Sequence, residues 1–113
     1  MRKLELPYPP SANRYWRKTK TGKIYLSDEA KAYKEEVALR VKKSLLQGSI
    51  GIEIRLFRPL RSGDLDNRIK ILLDALQGLA FTDDKQIVEI HAYRFEDKVN
   101  PRVEIKIWEL AND

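Results

Sequence analysis

The chain has 113 residues, 22 of them Lys or Arg and 17 Asp or Glu, for a formal net charge of +5 at pH 7. That length supports one core of modest size, since about 65% of the unfolded surface is removed on folding, so one domain over 1–113 is expected. Apolar residues at 42% together with charges of both signs exclude a disordered chain, and the lack of cysteine excludes a disulfide framework or a thiolate metal site. MRKLELPYPP starts like a signal peptide, but prolines arrive before any apolar core of sufficient length. The longest apolar run, around ILLDALQGLAF, is broken by Asp74 and is too short to span a bilayer. A soluble, cytoplasmic protein without membrane contact is expected.

RKLELP reads as a first strand, stopped by Pro7, Pro9 and Pro10 because proline withholds a ladder donor. Residues 6–27 contain no Asp or Glu and hold Arg14, Arg17, Lys18, Lys20 and Lys23 interleaved with Tyr15, Trp16 and Tyr25. Part of this basic loop, YWRKTKTGKIYLS, is expected to fold back as an irregular hairpin around Thr21 and Gly22. A basic segment with aromatic residues favours an anionic partner, of which nucleic acid is the commonest for a small basic domain.

Ser27 is a good N-cap, with Asp28 and Glu29 in the following turn, and predicts a helix from about 28 to 46 that Gly48 ends. Its buried stripe is Tyr33, Val37, Val41 and Leu45, with Ala30 and Ala38 beside it. In IGIEIRLF, Ile50, Ile52, Ile54 and Leu56 alternate with Gly51, Glu53, Arg55 and Phe57, the period of a strand with one buried face. RPLRSG then turns the chain before a second helix over 66–80, where Ile69, Leu72, Leu73 and Leu76 form the apolar side and Leu79 and Ala80 extend it. Asp66, Lys70, Asp74 and Gln77 share its polar side.

KQIVEIHAYRF and PRVEIKIWE read as two final strands, joined by the turn EDKVNP and paired antiparallel to each other. Val88, Ile90 and Ala92 alternate in the first, and Val103, Ile105 and Ile107 in the second. The expected fold is therefore α+β, a small mixed sheet with two main helices in the order β-α-β-α-β-β and a basic N-terminal loop.

Four carboxylates stand out against the positive balance: Asp64 and Asp66 in DLDN, and Asp83 and Asp84 in DDKQI. Hard divalent cations take oxygen ligands, and Mg²⁺ often uses one or two carboxylates while keeping waters. The residues alone also allow Asp66 to cap the second helix, Asp64 to lie in solvent and Thr82 to Asp84 to form an ordinary turn. A chain that binds a polyanion has no reason to gather acids near it unless a metal reverses their sign. Lys70, four residues after Asp66, is either an ion-pair partner of Asp66 or Asp74 or a point charge for a phosphate. His91 is the only histidine, which argues against a zinc site and for a half-buried strand residue. Trp108 is expected to pack, and Trp16 to stack on a base or sugar.

In this order, PPSANRYWR at 9–17, DLDN at 64–67, Lys70, DAL at 74–76, DDKQI at 83–87 and a basic residue at Arg94 resemble the RusA family of Holliday junction resolvases. The resemblance covers nearly the whole chain and implies a single RusA-like endonuclease domain. It implies a homodimer, dependent on Mg²⁺ or Mn²⁺, that binds four-way DNA junctions and nicks two opposed strands symmetrically. Carried onto this sequence, Asp64, Asp66 and Asp84 are the metal-holding acids and Lys70 the catalytic-site lysine, with Asp83 the less favoured of its pair. Asn13, Arg14, Trp16, Arg17, Lys18, Lys20, Lys23, Arg61 and Arg94 are the expected DNA contacts. The family usually has Lys where this chain has Arg94, which keeps the charge and changes its geometry.

The alternatives are a non-catalytic junction or nucleic-acid binder and a metal-dependent ribonuclease. One question of geometry follows: a straight helix over 66–80 is about 20 Å long, yet Asp84 must reach Asp66. A bend near Gly78 or a short helix is expected to bring them together within one subunit. The other solution takes Asp84 from the second subunit of a dimer.

Overall fold

The computed structural model describes residues 1–10, 16–59 and 65–110, apart from the side chains of Trp16 and of 65–67. Strand β1 (Arg2–Pro7) is followed by a short hairpin, β2 (Trp16–Lys18) and β3 (Ile24–Leu26). Helix α1 (Asp28–Arg40), strand β4 (Ile50–Arg58) and helix α2 (Leu65–Leu76) come next. A short 3₁₀ turn, Asp84–Gln86, leads into β5 (Ile87–Glu96), and β6 (Arg102–Glu109) is the last strand. The main sheet has the order β1-β6-β4-β5. This is the mixed α+β architecture expected from the sequence, with the hairpin where the basic loop was predicted.

The core lies on one side of the sheet. Ile50, Ile52, Ile54 and Leu56 of β4 and Val103, Ile105 and Ile107 of β6 meet Ala30, Tyr33 and Val37 of α1 and Ile71, Leu72, Ala75 and Leu76 of α2. Burying each large aliphatic side chain contributes about 1.5–3 kcal/mol, so these alternating and helical patterns hold the layers together.

Both helices end earlier than their apolar periodicity suggests. Ser27 caps α1 as expected, its Oγ accepting from the Ala30 amide at 3.1 Å, but Val41 is already extended. The backbone beyond it has better partners outside the helix. Ser44 N donates to Leu79 O at 2.9 Å and Leu46 N to Ala80 O at 3.0 Å, while the Arg2 guanidinium donates to the Lys42 and Ser44 carbonyls. Gly48 (φ +68°) therefore serves the entry to β4, not the end of α1. Val41 is buried and Leu45 half-buried, as the stripe implied, whereas Ala38 is exposed. In α2, Gly78 takes φ +89° and its amide donates to Phe81 O at 2.7 Å. That turn breaks the helix two residues past Leu76 and leaves Ala80 buried outside it.

The last two strands do not pair with each other. β5 lies parallel to β4, and β6 is antiparallel to both β4 and β1, so β4 separates them. Parallel neighbours need a long crossover, and α2 supplies it between β4 and β5. The turn after β5 crosses the end of β4, with Asp97 N donating to Arg58 O at 2.8 Å. Asp97 is the anchor of this turn: it accepts from the Val99 and Asn100 amides and from Arg102 at 2.9 Å.

Edge position changes what β5 buries. Val88 and Ile90 point to the helical side, where Ile52 and Ile54 are buried, yet they are 60% and 49% exposed. The predicted apolar face of this strand is thus uncovered, because the core is drawn from β1, β4 and β6, and β5 adds to it only a partly buried Ile87.

On the opposite side of the sheet, register aligns Arg102, Phe57 and Phe95 across three strands. Arg102 lies 3.8 Å over the Phe57 ring, and Phe57 stacks on Phe95 at 5.1 Å between centroids. Trp108 packs over Gly51, where an added Cβ would sit 2.5 Å from the indole. His91 is exposed, not half-buried, because it stands on the edge strand, where it bonds Glu89 at 3.0 Å.

Candidate metal and nucleic-acid site

Helix α2 begins at Leu65, so Asp66 lies inside the first turn and not at the cap. Negative charge is favoured there by the helix dipole. Lys70 follows one turn later and is exposed. Asp74, on the same polar side, pairs with Lys34 of α1 at 3.3 Å and thereby joins the two helices.

The second acidic pair divides its labour. Asp83 caps the 3₁₀ turn, accepting from the Lys85 amide at 2.9 Å. That amide, with further help from Asp84 and Lys85, holds the Asp83 carboxyl below the usual carboxylate range. Gln86 completes the cap by accepting from the Thr82 and Asp83 amides at 2.8 and 3.0 Å, and its amide group donates to the Leu46 and Gly48 carbonyls. Asp84 is exposed, and its backbone amide donates to Gln77 Oε1 at 3.2 Å. Asp83 is thus occupied as a cap, which leaves the Asp84 carboxylate as the candidate of the pair. The sequence placed Gln77 only on the polar side of α2 and did not single out Gln86, although an acid followed three residues later by Gln is a capping-box pattern.

The turn at Gly78 occurs where a bend was expected, but it brings Asp84 to Gln77 and not to Asp66. Eleven residues of helical spacing separate Asp66 from Gln77, about 16 Å at 1.5 Å per residue. Topology gives the same answer independently. Because β5 is parallel to β4, with Ile87 beside Ile50, Asp84 stands at the start of these strands, whereas α2 begins beyond their far end at Arg58. The expectation that one subunit brings Asp84 to Asp66 is therefore overturned by the crossover.

The predicted nucleic-acid residues fall into three groups. Asn13, Arg14 and Arg61 lie outside the described residues, as do the Trp16 side chain and the predicted metal-holding acid Asp64. Arg17, Lys18, Lys20 and Lys23 are all exposed on the hairpin, whose tip is closed by Gly22 N donating to Thr19 O at 3.0 Å and by Thr19 Oγ1 accepting from Lys23 N. Arg94 is exposed on β5 opposite Leu56, toward the end of the sheet where α2 begins.

Arg68 supplies a connection that sequence reasoning missed. Its guanidinium donates to Pro9 O at 2.7 Å and lies 5.0 Å from the Tyr8 ring centroid. The proline segment that leads to the basic hairpin is thereby tied to α2 two residues after Asp66. The segment before the hairpin is thus held to the helix that carries a candidate metal ligand, and an all-oxygen, carboxylate donor set suits a hard divalent cation.

A family model described as "Endodeoxyribonuclease RusA" matches residues 7–108. The chain is 33% identical to the crossover junction endodeoxyribonuclease rusA of Enterobacteria phage 82, over 97% of this chain and 96% of that one. The protein of that name from Escherichia coli K12 is 32% identical, and the one from Shigella sonnei 31%, with the same coverage.

Proposed function

The chain belongs to the RusA family of endodeoxyribonucleases, and from that premise we propose that it resolves four-way DNA junctions by paired symmetric nicks in recombination and repair. We propose further that it acts in the cytoplasm as a homodimer with Mg²⁺, or Mn²⁺, held by Asp64, Asp66 and Asp84. The observation that carries the reading is the tie made by Arg68, which holds Pro9, in the segment that precedes the cationic hairpin, against α2 two residues after Asp66. A bound divalent cation supplies the positive charge that lets carboxylates sit beside a phosphodiester and favours its hydrolysis.

Each residue then has a distinct task. Arg17, Lys18, Lys20 and Lys23 hold the phosphates of the junction arms, together with Arg14, Arg61 and Arg94. Phosphate contacts position the DNA without reading its sequence. Trp16 and Asn13 meet bases or sugars near the exchange point. Lys70 offers a point charge to the scissile phosphate. Asp84 reaches the site from the partner subunit, since its own α2 carries Asp66 at the other end. Two such sites related by a two-fold axis match the two opposed strands of a junction.

The test offers the purified protein a four-way junction, duplex DNA and structured RNA, each with Mg²⁺ or with EDTA. Symmetric nicking of the junction alone, dependent on the metal, is the expected result. Asp66→Asn should lower nicking at least about 100-fold while junction binding persists. Binding with no cleavage by the wild type points to a non-catalytic junction protein, and cleavage of RNA in its place to a ribonuclease.

A further inference from the structure

The sheet has two outer strands, and they are treated differently. β1 is short (Arg2–Pro7) and carries Lys3 and Pro7, two of the usual devices against edge-to-edge pairing. β5 has 10 residues and neither Lys nor Pro; its charged residues are Glu89, Arg94 and Glu96, and its one irregularity is a register shift at its start, opposite Ile50 and Gly51. It also exposes large apolar side chains on both faces: Val88 and Ile90 on the helical side, Tyr93 and Phe95 on the other. A long outer strand of this composition is a template for another strand.

From this strand we infer that β5 is the self-association surface of the protein, pairing antiparallel with β5 of a second copy about a two-fold axis at Ile90, so that two sheets become one. The inference rests on the dimeric resolvase proposed above and names the surface through which that dimer forms.

Self-complementarity selects the occupant and the register. A two-fold axis perpendicular to the sheet keeps helical faces together, so only residues of the same face can stand opposite one another. With Ile90 on the axis, Ile90 meets its own copy and Val88 meets Ala92. Glu89 then stands opposite His91, an acid against the only histidine in the chain. Moving the axis to Ala92 sets Ile90 against Arg94 and Val88 against Glu96, which leaves apolar groups facing charge. Directly opposed apolar and opposite-charge pairs stabilise a sheet, so the first register is preferred.

The arrangement also answers the separation of the acids. Antiparallel pairing about Ile90 brings the Asp84–Gln86 turn, which precedes β5 of one copy, toward the Glu96 end of β5 of the other. Glu96 is the end of β5 beside Arg58, the last residue of β4 before the chain turns to α2. Each copy's Asp84 is thus carried toward the end of the partner where Asp66 begins its helix, and it happens twice.

The chain has no cysteine, which permits a direct test. Ile90→Cys should form covalent dimers under mild oxidation, while Leu39→Cys, at an 84% exposed position on α1, should not. Equal cross-linking of the two variants overturns the inference. In sedimentation, Ile90→Lys should change the full chain from dimer to monomer with unchanged circular dichroism, because like charges then face each other on the axis. A wild type that is monomeric, or an Ile90→Lys protein that stays dimeric, also overturns it. An Ile90→Lys dimer that still cuts junctions leaves the resolvase reading standing. Ile90→Cys cross-linking in a protein whose wild type cuts no junction would sink that reading and keep the interface.

Discussion

Mixing two inactive variants separates a shared site from a self-contained one and gives a number. Take Asp66→Asn and Asp84→Asn, each inactive as a homodimer. In a mixed dimer, the subunit with intact Asp66 faces the subunit with intact Asp84, and the other pairing contains both lesions. One of two sites is whole if Asp84 acts across the dimer, whereas neither is whole if it acts within its own chain. Random assembly from equal amounts makes half the dimers mixed, so nicking should return to about a quarter of the wild-type rate, and to about half in mixed dimers isolated by two affinity tags. The structural basis is the roughly 16 Å of helix between Asp66 and Gln77, with Asp84 bonded to Gln77. The assay uses a labelled junction: single nicks should reappear while paired, ligatable products stay low, because a mixed dimer cuts one strand. No nicking above the parental variants would refute the reasoning.

Other consequences are open to simpler measurement. Gly51→Ala puts a methyl 2.5–2.6 Å from the Trp108 indole and should cost about 1–3 kcal/mol in urea unfolding; adding Trp108→Leu should recover much of it if the clash is the cause. Burial pushes the Tyr33 phenol well above its ordinary 10.0, with Arg40 opposing in part. Its stabilising effect is therefore complete below pH 10 and is lost as pH rises toward the folded-state value. Tyr33→Phe removes the 2.9 Å bond to Pro7 O, so it should cost about 1 kcal/mol at neutral pH and flatten the alkaline decline in melting temperature. Replacing Arg17, Lys18, Lys20 and Lys23 by Ala should weaken junction binding and lower the slope of log affinity against log salt by about 0.7–0.9 for each phosphate no longer neutralised.

What the sequence made legible was local. Ser27 with Asp28 and Glu29 marked the start of α1, alternating Ile and Leu marked β4, and Thr21 and Gly22 marked the hairpin tip, because caps, periodicity and turn residues act over a few positions. What it hid was non-local. Nothing near Val41 announces that residues 44 and 46 will bond to residues 79 and 80, so α1 looked longer than it is. The alternation of Val88, Ile90 and Ala92 indicates a strand face but not whether anything covers it, and an edge position uncovers it. The acids were identifiable from their motif and the signs of their neighbours. Their separation was not, since it follows from β5 running parallel to β4, and a sequence that reads as two adjacent strands favours the hairpin it does not form.

The order of the main sheet also governs when the chain can fold. β6 is the last strand in chain order, yet it lies between β1 and β4 and pairs with both. During synthesis, β1 is made before the other strands and has no strand to pair with until Arg102–Glu109 arrives about a hundred residues later. Such pairing carries a high entropic cost of loop closure and delays the cooperative fold until β6 is available. A nascent chain halted before Arg102 lacks the strand that joins its first to its fourth, so a fragment bearing both acidic motifs is still not a folded nuclease.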